Sequence, residues 1–323
     1  MWIYTYSGLA SRCNTLAQAY YFSKKNQNEL VVVWPLEDAC GIHFREVFAD
    51  DMFADIKFRV IEIMEKKYFD GTCEGIYSSI KKGNWGNAIR AAILHCMDYI
   101  MIYIVKRIRP KLPVLLFREN YFDFTPPEDV GWGGQRFVKY TSDLSEKVIE
   151  VLSREKKVYI KAYNGICYGM AKDRFDYSAI KFREEYWKIV KEIIGTGEGY
   201  VGIHIRRTDH HIAIKESSTD AFIHKINEIL TKCPDIKFFL ATDDKNEERE
   251  LQKLYGDKMI VQPNKEWGRS RSNEMRSGII DCLCLSQCEY IIGSCGSAYS
   301  RFAARYGAKE LVICRGFEVN GNG

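Results

Sequence analysis

Four short apolar runs in the second half of the chain constrain the fold most. They are Tyr200–Ile205, Lys237–Ala241, Tyr290–Ile292 and Glu310–Cys314. Each is strand-length and too continuously apolar to expose one face to water. Such runs fit strands buried on both faces of a parallel sheet. The segments between them, Thr219–Thr231, Lys245–Tyr255 and Ser277–Gln287, have helical character. Parallel strands need crossover helices, so the alternation predicts a doubly wound α/β unit. Lys181–Ile194 reads as a helix leading into it, stopped by Gly195-Thr196-Gly197.

The amino-terminal end repeats the pattern in miniature. Trp2–Tyr6 is β-prone, Thr15–Lys24 helical, and Leu30–Trp34 (LVVVW) a short apolar run closed by Pro35. That order predicts a βαβ unit. Val158–Ala162 reads as a further strand. The stretch Phe44–Ile108 is mostly helical in pattern. Residues 109–157 are broken by Pro110, Pro113, Pro126-Pro127 and Gly131-Trp132-Gly133-Gly134, which mark loops. A polar stretch near residues 170–177 divides the chain into two domains, 1–172 with a helical insertion and 173–323. A length of 323 residues is enough for two such cores.

Charge and cysteine content narrow the function classes. A formal net charge of +4 on 323 residues is no nucleic-acid-binding tail, but it suits an anionic small ligand. No secretory leader is recognisable at Met1-Trp2-Ile3-Tyr4, and the 11 cysteines are odd in number, so reduced thiols and a cytoplasmic setting are expected. Cys282, Cys284 and Cys288 lack the paired spacing of a zinc site and are expected to be buried. No run of about 20 apolar residues predicts a membrane span. Ala91–Val105, followed by Lys106, Arg107, Arg109 and Lys111, is either an ordinary packed helix or an amphipathic one lying on an anionic membrane surface.

Ligands of open α/β sheets sit beyond the carboxyl ends of the strands, and three ends carry polar residues. His204-Ile-Arg206-Arg207-Thr208-Asp209 places two arginines just past a buried strand. Guanidinium forks match phosphate oxygens, and a structural Arg–Asp pair is the competing reading. Thr242-Asp243-Asp244 holds two acids that either cap the next helix, through Thr242 or Asp243, or hold a metal. Ser294-Cys295-Gly296-Ser297-Ala298 puts small residues before a helix, where backbone amides can approach a phosphate. Cations, small residues and a helix start together predict a diphosphate pocket.

HIRRTD, FLATDD and GSCGSAYSRFA, in that order, resemble the three motifs of the inverting fucosyltransferases, with the α-1,6-fucosyltransferases and the nodulation protein Z group nearest. Arg276–Gln287 resembles the segment before the last motif, and Ser7–Arg12 with VVVWP resembles the opening βαβ unit. The likeness covers roughly residues 180–310 and about 35 amino-terminal residues. It implies a GT-B architecture, two Rossmann-like domains facing a cleft, with an acceptor-side amino-terminal domain. It implies GDP-fucose as donor, no other cofactor and no metal. It places Arg206 on the donor phosphate and Arg207 in support of the loop and leaving group. His204 and Asp281 fall at the guanine end, with Asp243 and Asp244 near the nucleotide or bracing the site. Ser294, Gly296, Ser297 and Ala298 fall at the diphosphate. The acceptor would be a hydroxyl of a glycan or lipid-linked oligosaccharide, with peripheral membrane association at most.

One departure concerns the base. The α-1,6 group carries a Glu five residues after its motif Asp, where this chain has Ile214. The Lys after that Asp is His210 here. Asp209, His210, His211 and Glu216 are the base candidates. Transfer of another sugar, or nucleotide or glycan binding without turnover, are the competing functions.

Overall fold

The structure is a computed structural model that describes residues 1–64, 120–131, 134–167 and 175–316. Two five-stranded sheets, each parallel throughout, form its framework. The first has the order β3-β2-β1-β5-β4, from β1 (Trp2–Thr5), β2 (Leu30–Leu36), β3 (Phe58–Met64), β4 (Tyr121–Asp123) and β5 (Tyr159–Ala162). The second has the order β10-β9-β6-β7-β8. Its strands are β6 (Tyr200–Ile205), β7 (Lys237–Thr242), β8 (Met259–Ile260), β9 (Tyr290–Ser294) and β10 (Glu310–Cys314).

The apolar runs become strands for the reason their composition gave. Leu30 to Trp34 is buried throughout, and Ile203, Ile205, Phe238, Phe239, Leu240, Ile291 and Ile292 are fully covered. Helix α1 (Leu9–Asn26) follows β1, and α2 (Phe44–Val47) is a single turn. Helices α3 (Gly134–Arg154) and α4 (Glu184–Ile194) precede β5 and β6. Then come α5 (His211–Glu216), α6 (Thr219–Lys232), α7 (Lys245–Tyr255), α8 (Ser272–Gln287) and α9 (Ala298–Tyr306).

Two expectations for the first half need correction. Phe58–Met64 was expected to be helical and is a strand, paired over seven residues with β2. Its β-branched Val60, Ile61 and Ile63 fit a pleated surface, and β2 offers a free edge to pair with. Gly134–Arg154, left unassigned by sequence, is a 21-residue helix. Its buried stripe, Phe137, Thr141, Ser145, Val148 and Leu152, keeps the helical period but is mostly small or polar. The hydroxyls of Thr141 and Ser145 donate to the carbonyls of Phe137 and Thr141, at 2.8 and 2.6 Å, which makes their burial tolerable. The Ala91–Val105 segment with its basic end, Trp132-Gly133 and most of the expected boundary lie outside the described residues. Among the described residues no helix is long and apolar enough to cross a membrane.

The sheets are joined by packing as well as by chain. Phe182, just before α4, packs against Phe48 with tilted rings and against Phe302 edge-on, one from each half. Helix α1 packs on α9, and α4 on α8. Gly41 approaches the second half so closely that a Cβ there would sit 1.9 Å from the Ser270 carbonyl oxygen. Its N–H donates to the Arg269 carbonyl at 2.9 Å. The described cysteines are all free thiols, buried except for Cys233 and Cys295, and burial raises the thiol pKa of Cys282, Cys284 and Cys288.

Candidate functional site

The strand order of the second sheet locates its crevice. The chain enters at the central β6, moves to β7 and β8 on one side, then returns to β9 and β10 on the other. Connections therefore leave β6 and β9 in opposite directions, and in sheets of this topology the ligand crevice lies beyond the carboxyl ends of two such strands. His204 of β6 lies opposite Gly293 of β9. Arg206 and the Cys295–Ser297 turn are the first residues past those two strand ends.

The adjacent arginines have different surroundings. Arg207 is nearly buried, and its five N–H donors all have acceptors inside the protein. Nε and Nη2 reach Glu247 at 3.3 and 3.2 Å, Nη2 reaches Thr219 Oγ1, and Nη1 reaches the Arg206 and Ser217 carbonyls. It braces the loop and keeps no donor for a leaving phosphate. Arg206 instead faces two carboxylates, Asp209 and, at 2.7 Å, Asp243. Partial burial opposes the charge of both acids. At Asp209 the Arg269 hydrogen bond, with the charge of Arg206, outweighs it, and at Asp243 Arg206 does, with Thr208, so both pKa values lie below the usual carboxylate range.

Asp243 also accepts from the Arg207 N–H at 2.7 Å and from the Thr208 N–H and hydroxyl. Asp244 caps α7 by accepting from Asn246 and Glu247 N–H at 2.7 and 3.2 Å. The capping residue is thus Asp244 rather than Thr242 or Asp243. With one acid holding arginines and the other a helix end, the metal reading of this pair does not fit the geometry. Among the described residues no group of three His, Cys, Asp or Glu could hold a metal ion.

The turn after β9 is locked to its surroundings. Ser294 Oγ accepts the Arg206 N–H at 3.0 Å, and the Cys295 N–H donates to Ser217 Oγ at 2.8 Å. Gly296 has φ +74, and a Cβ there would lie 2.9 Å from His210 Cε1, so glycine is required on both counts. Ser297 caps α9 by accepting from the Tyr299 N–H, and Ala298 is the first helical residue. Ser294 is therefore an internal brace, while Gly296 to Ala298 form the helix start facing Arg206's strand end.

His204 is 4% exposed, stacks on Tyr299 at 4.8 Å, and its Nδ1 has no hydrogen-bond partner. Burial, reinforced by Arg206, pushes its pKa down to about 3, so the imidazole is neutral. That nitrogen is sealed from solvent, so a ligand's polar group meets it only once a neighbouring group moves. Asp281 is fully partnered instead. It is buried on α8, its Oδ2 lies 2.7 Å from Lys265 Nζ, and the Gln262 amide donates to its Oδ1 at 2.9 Å. With Lys265 and the Gln262 amide on its oxygens, a base reaches Asp281 only by displacing one of them. Burial raises the Asp281 carboxyl against the pull of Lys265. Burial also opposes the Lys265 charge, but Asp281 and Glu248 outweigh it and raise its pKa.

Sequence reasoning missed Lys265, whose ammonium ties the Thr242 carbonyl at 2.7 Å to Glu248 and Asp281, with Trp267 against it. It missed Arg269, which pairs with Asp209 at 2.5 Å. Both sit on the irregular stretch between β8 and α8, where no periodicity signals a role. Among the base candidates, Asp209 is held between two guanidiniums. His210 caps α5 by accepting from the Ala213 N–H at 3.1 Å. His211 is exposed at the start of α5 and Glu216 half-buried at its end; Ile214 between them is exposed.

No protein-family model and no curated protein matches this chain. Solved structures do match. Similarity to NodZ α-1,6-fucosyltransferase co-crystallized with GDP extends over 94% of this chain and 91% of the other, with a TM-score of 0.51 and 16% identity. The same enzyme soaked with GDP-fucose matches over 94% and 92%, with a TM-score of 0.50 and 17% identity. Fucosyltransferase NodZ from Bradyrhizobium matches over the same shares, with a TM-score of 0.50 and 16% identity. The two parallel sheets with their helices are the GT-B architecture of these structures.

Proposed function

We propose that this chain is a glycosyltransferase that moves fucose from GDP-fucose to a hydroxyl of a glycan or lipid-linked oligosaccharide, with inversion and without a metal ion. The observation that carries the reading is the conjunction at the β6/β9 crevice. Arg206 stands past one strand, the α9 start past the other, and the neutral, unpartnered His204 Nδ1 lies beneath. Arg206 and the α9 amides suit a diphosphate. His204 Nδ1 suits an N–H of a base edge. The motif resemblance, and the GDP and GDP-fucose in the similar NodZ structures, support guanine and fucose.

The chemistry follows from that placement. The acceptor oxygen attacks the anomeric carbon from the face opposite the diphosphate, and the bond to the phosphate oxygen breaks. Negative charge grows on GDP, where a preorganised guanidinium and helix start stabilise it best. The acceptor proton leaves to Glu216, His211 or water. Asp209 is a poor base for as long as two arginines hold it. The division of labour is donor binding by residues 173–323 and acceptor binding by 1–172, in a cytoplasmic enzyme.

A second reading, nucleotide binding without turnover, is favoured by Ile214 in place of the base-bearing Glu. A panel of GDP- and UDP-sugars, assayed for nucleotide release with and without EDTA, separates these. Turnover of GDP-fucose that survives chelation is expected. Turnover of a UDP-sugar alone overturns the donor, and binding without release overturns the enzyme.

A further inference from the structure

Asp209 receives two guanidiniums at once. Arg206 donates to its Oδ1, and Arg269, from the stretch between β8 and α8, donates to its Oδ2 at 2.5 Å. Two cations brought to one point repel unless an anion stands between them. The anion here is half exposed, on a short loop between β6 and α5. Asp243, the other carboxylate on Arg206, is held by the Arg207 and Thr208 N–H groups and the Thr208 hydroxyl. Of the two acids, one is built in and the other is free to swing away.

We propose that Arg269 is a second ligand of the donor's diphosphate, and that Asp209 is a place-holder occupying both guanidinium forks until the diphosphate displaces it. A diphosphate carries more charge than a carboxylate and has oxygens enough to bridge two forks. When Asp209 leaves, Arg206 and Arg269 face Asp243 alone, so the locus gains one net positive charge for the incoming anion. The second arm is also anchored to the amino-terminal half. The Arg269 carbonyl accepts the Gly41 N–H at 2.9 Å, and Gly41 has no room for a Cβ against Ser270. The amino-terminal half thereby fixes the backbone from which Arg269 reaches the donor. This inference rests on the nucleotide-sugar reading of the same crevice.

Calorimetric titration of wild type, Arg269→Met and Asp209→Asn with GDP, UDP, ADP and guanosine tests it. Arg269 is well exposed and on a loop, so its replacement leaves the fold intact. A lost charged hydrogen bond predicts GDP affinity lower by about ten- to a hundredfold in Arg269→Met, with guanosine affinity unchanged. Asp209→Asn, which removes the competitor's charge, is expected to bind GDP more tightly than wild type. Unchanged GDP affinity in Arg269→Met overturns the second ligand. Unchanged or weaker GDP affinity in Asp209→Asn overturns the place-holder. If wild type prefers UDP or ADP, the guanine reading falls and the same variants read the clamp on that nucleotide; if none of the three binds, both fall.

Discussion

Arg206 and Arg207 are neighbours in sequence, yet alanine at each should give different phenotypes. Arg207 and its partner Glu247 are 12% and 9% exposed. Removing Arg207 leaves the Glu247 carboxylate with Thr219 Oγ1 and strips donors from the Ser217 and Arg206 carbonyls. Breaking a buried pair from one side costs about 3–5 kcal/mol. At about 2 °C per kcal/mol, the melting temperature should fall by roughly 6 °C or more. Arg206 differs because Asp209, one of its two partners, is 48% exposed, and Asp243 keeps three other donors. Arg206 and Asp243 are themselves only 19% and 22% exposed, so the loss is that of a charged hydrogen bond, about 1.5–3 kcal/mol. Removing Arg206 should fall chiefly on turnover, by a factor of about 10²–10³, as for a lost oxyanion donor. Scanning calorimetry and GDP release from GDP-fucose measure the two effects. An Arg206→Ala protein that melts as low as Arg207→Ala, or that turns over near the wild-type rate, refutes the division of roles.

Two further substitutions probe the buried polar groups. Lys265→Met leaves Asp281 and Glu248 buried without their cation, and should cost about 3–5 kcal/mol. Burial raises the pKa of both acids, so their protonated forms favour the fold. The variant should be steadiest below the unfolded carboxylate pKa and lose stability as pH rises through the folded values, and a melting temperature that is flat with pH from about 4 to 8 contradicts this. His204 has its folded pKa depressed to about 3. Its contribution is complete above the unfolded value of about 6.5 and is lost as pH falls toward the folded value, at up to about 1.4 kcal/mol per pH unit. His204→Phe should remove that part of the acid slope, and an unchanged slope in urea titrations would show that His204 does not carry it.

Four of the five strands of the second sheet were legible because burial on both faces leaves a run that nothing else explains, as in Tyr200–Ile205 and Tyr290–Ile292; the two-residue β8 is too short to leave such a run. The location of the site was legible for the same reason, since polar residues just past such runs stand out. The partners of those residues were not. Glu247 looks like any acid in the first turn of a helix until the fold brings it to Arg207. Lys265 and Arg269 lie on a stretch without periodicity, and their partners Asp281 and Asp209 are distant in sequence. Asp281 matched a motif position, but the motif did not show that a lysine and an amide already occupy its oxygens. Phe58–Met64 lost its strand signature to Arg59 and Glu62, which an edge strand tolerates. The α3 stripe lost its helical signature to Thr141 and Ser145, which bond back to the preceding turn.

A crystal structure of the complex with GDP tests the central claim most directly. The account predicts the diphosphate in the β6/β9 crevice, within hydrogen-bond reach of Arg206 and of the amides at Gly296 to Ala298, with the base edge meeting His204 Nδ1. GDP bound elsewhere, or bound with Arg206 making no contact to a phosphate oxygen, would contradict it.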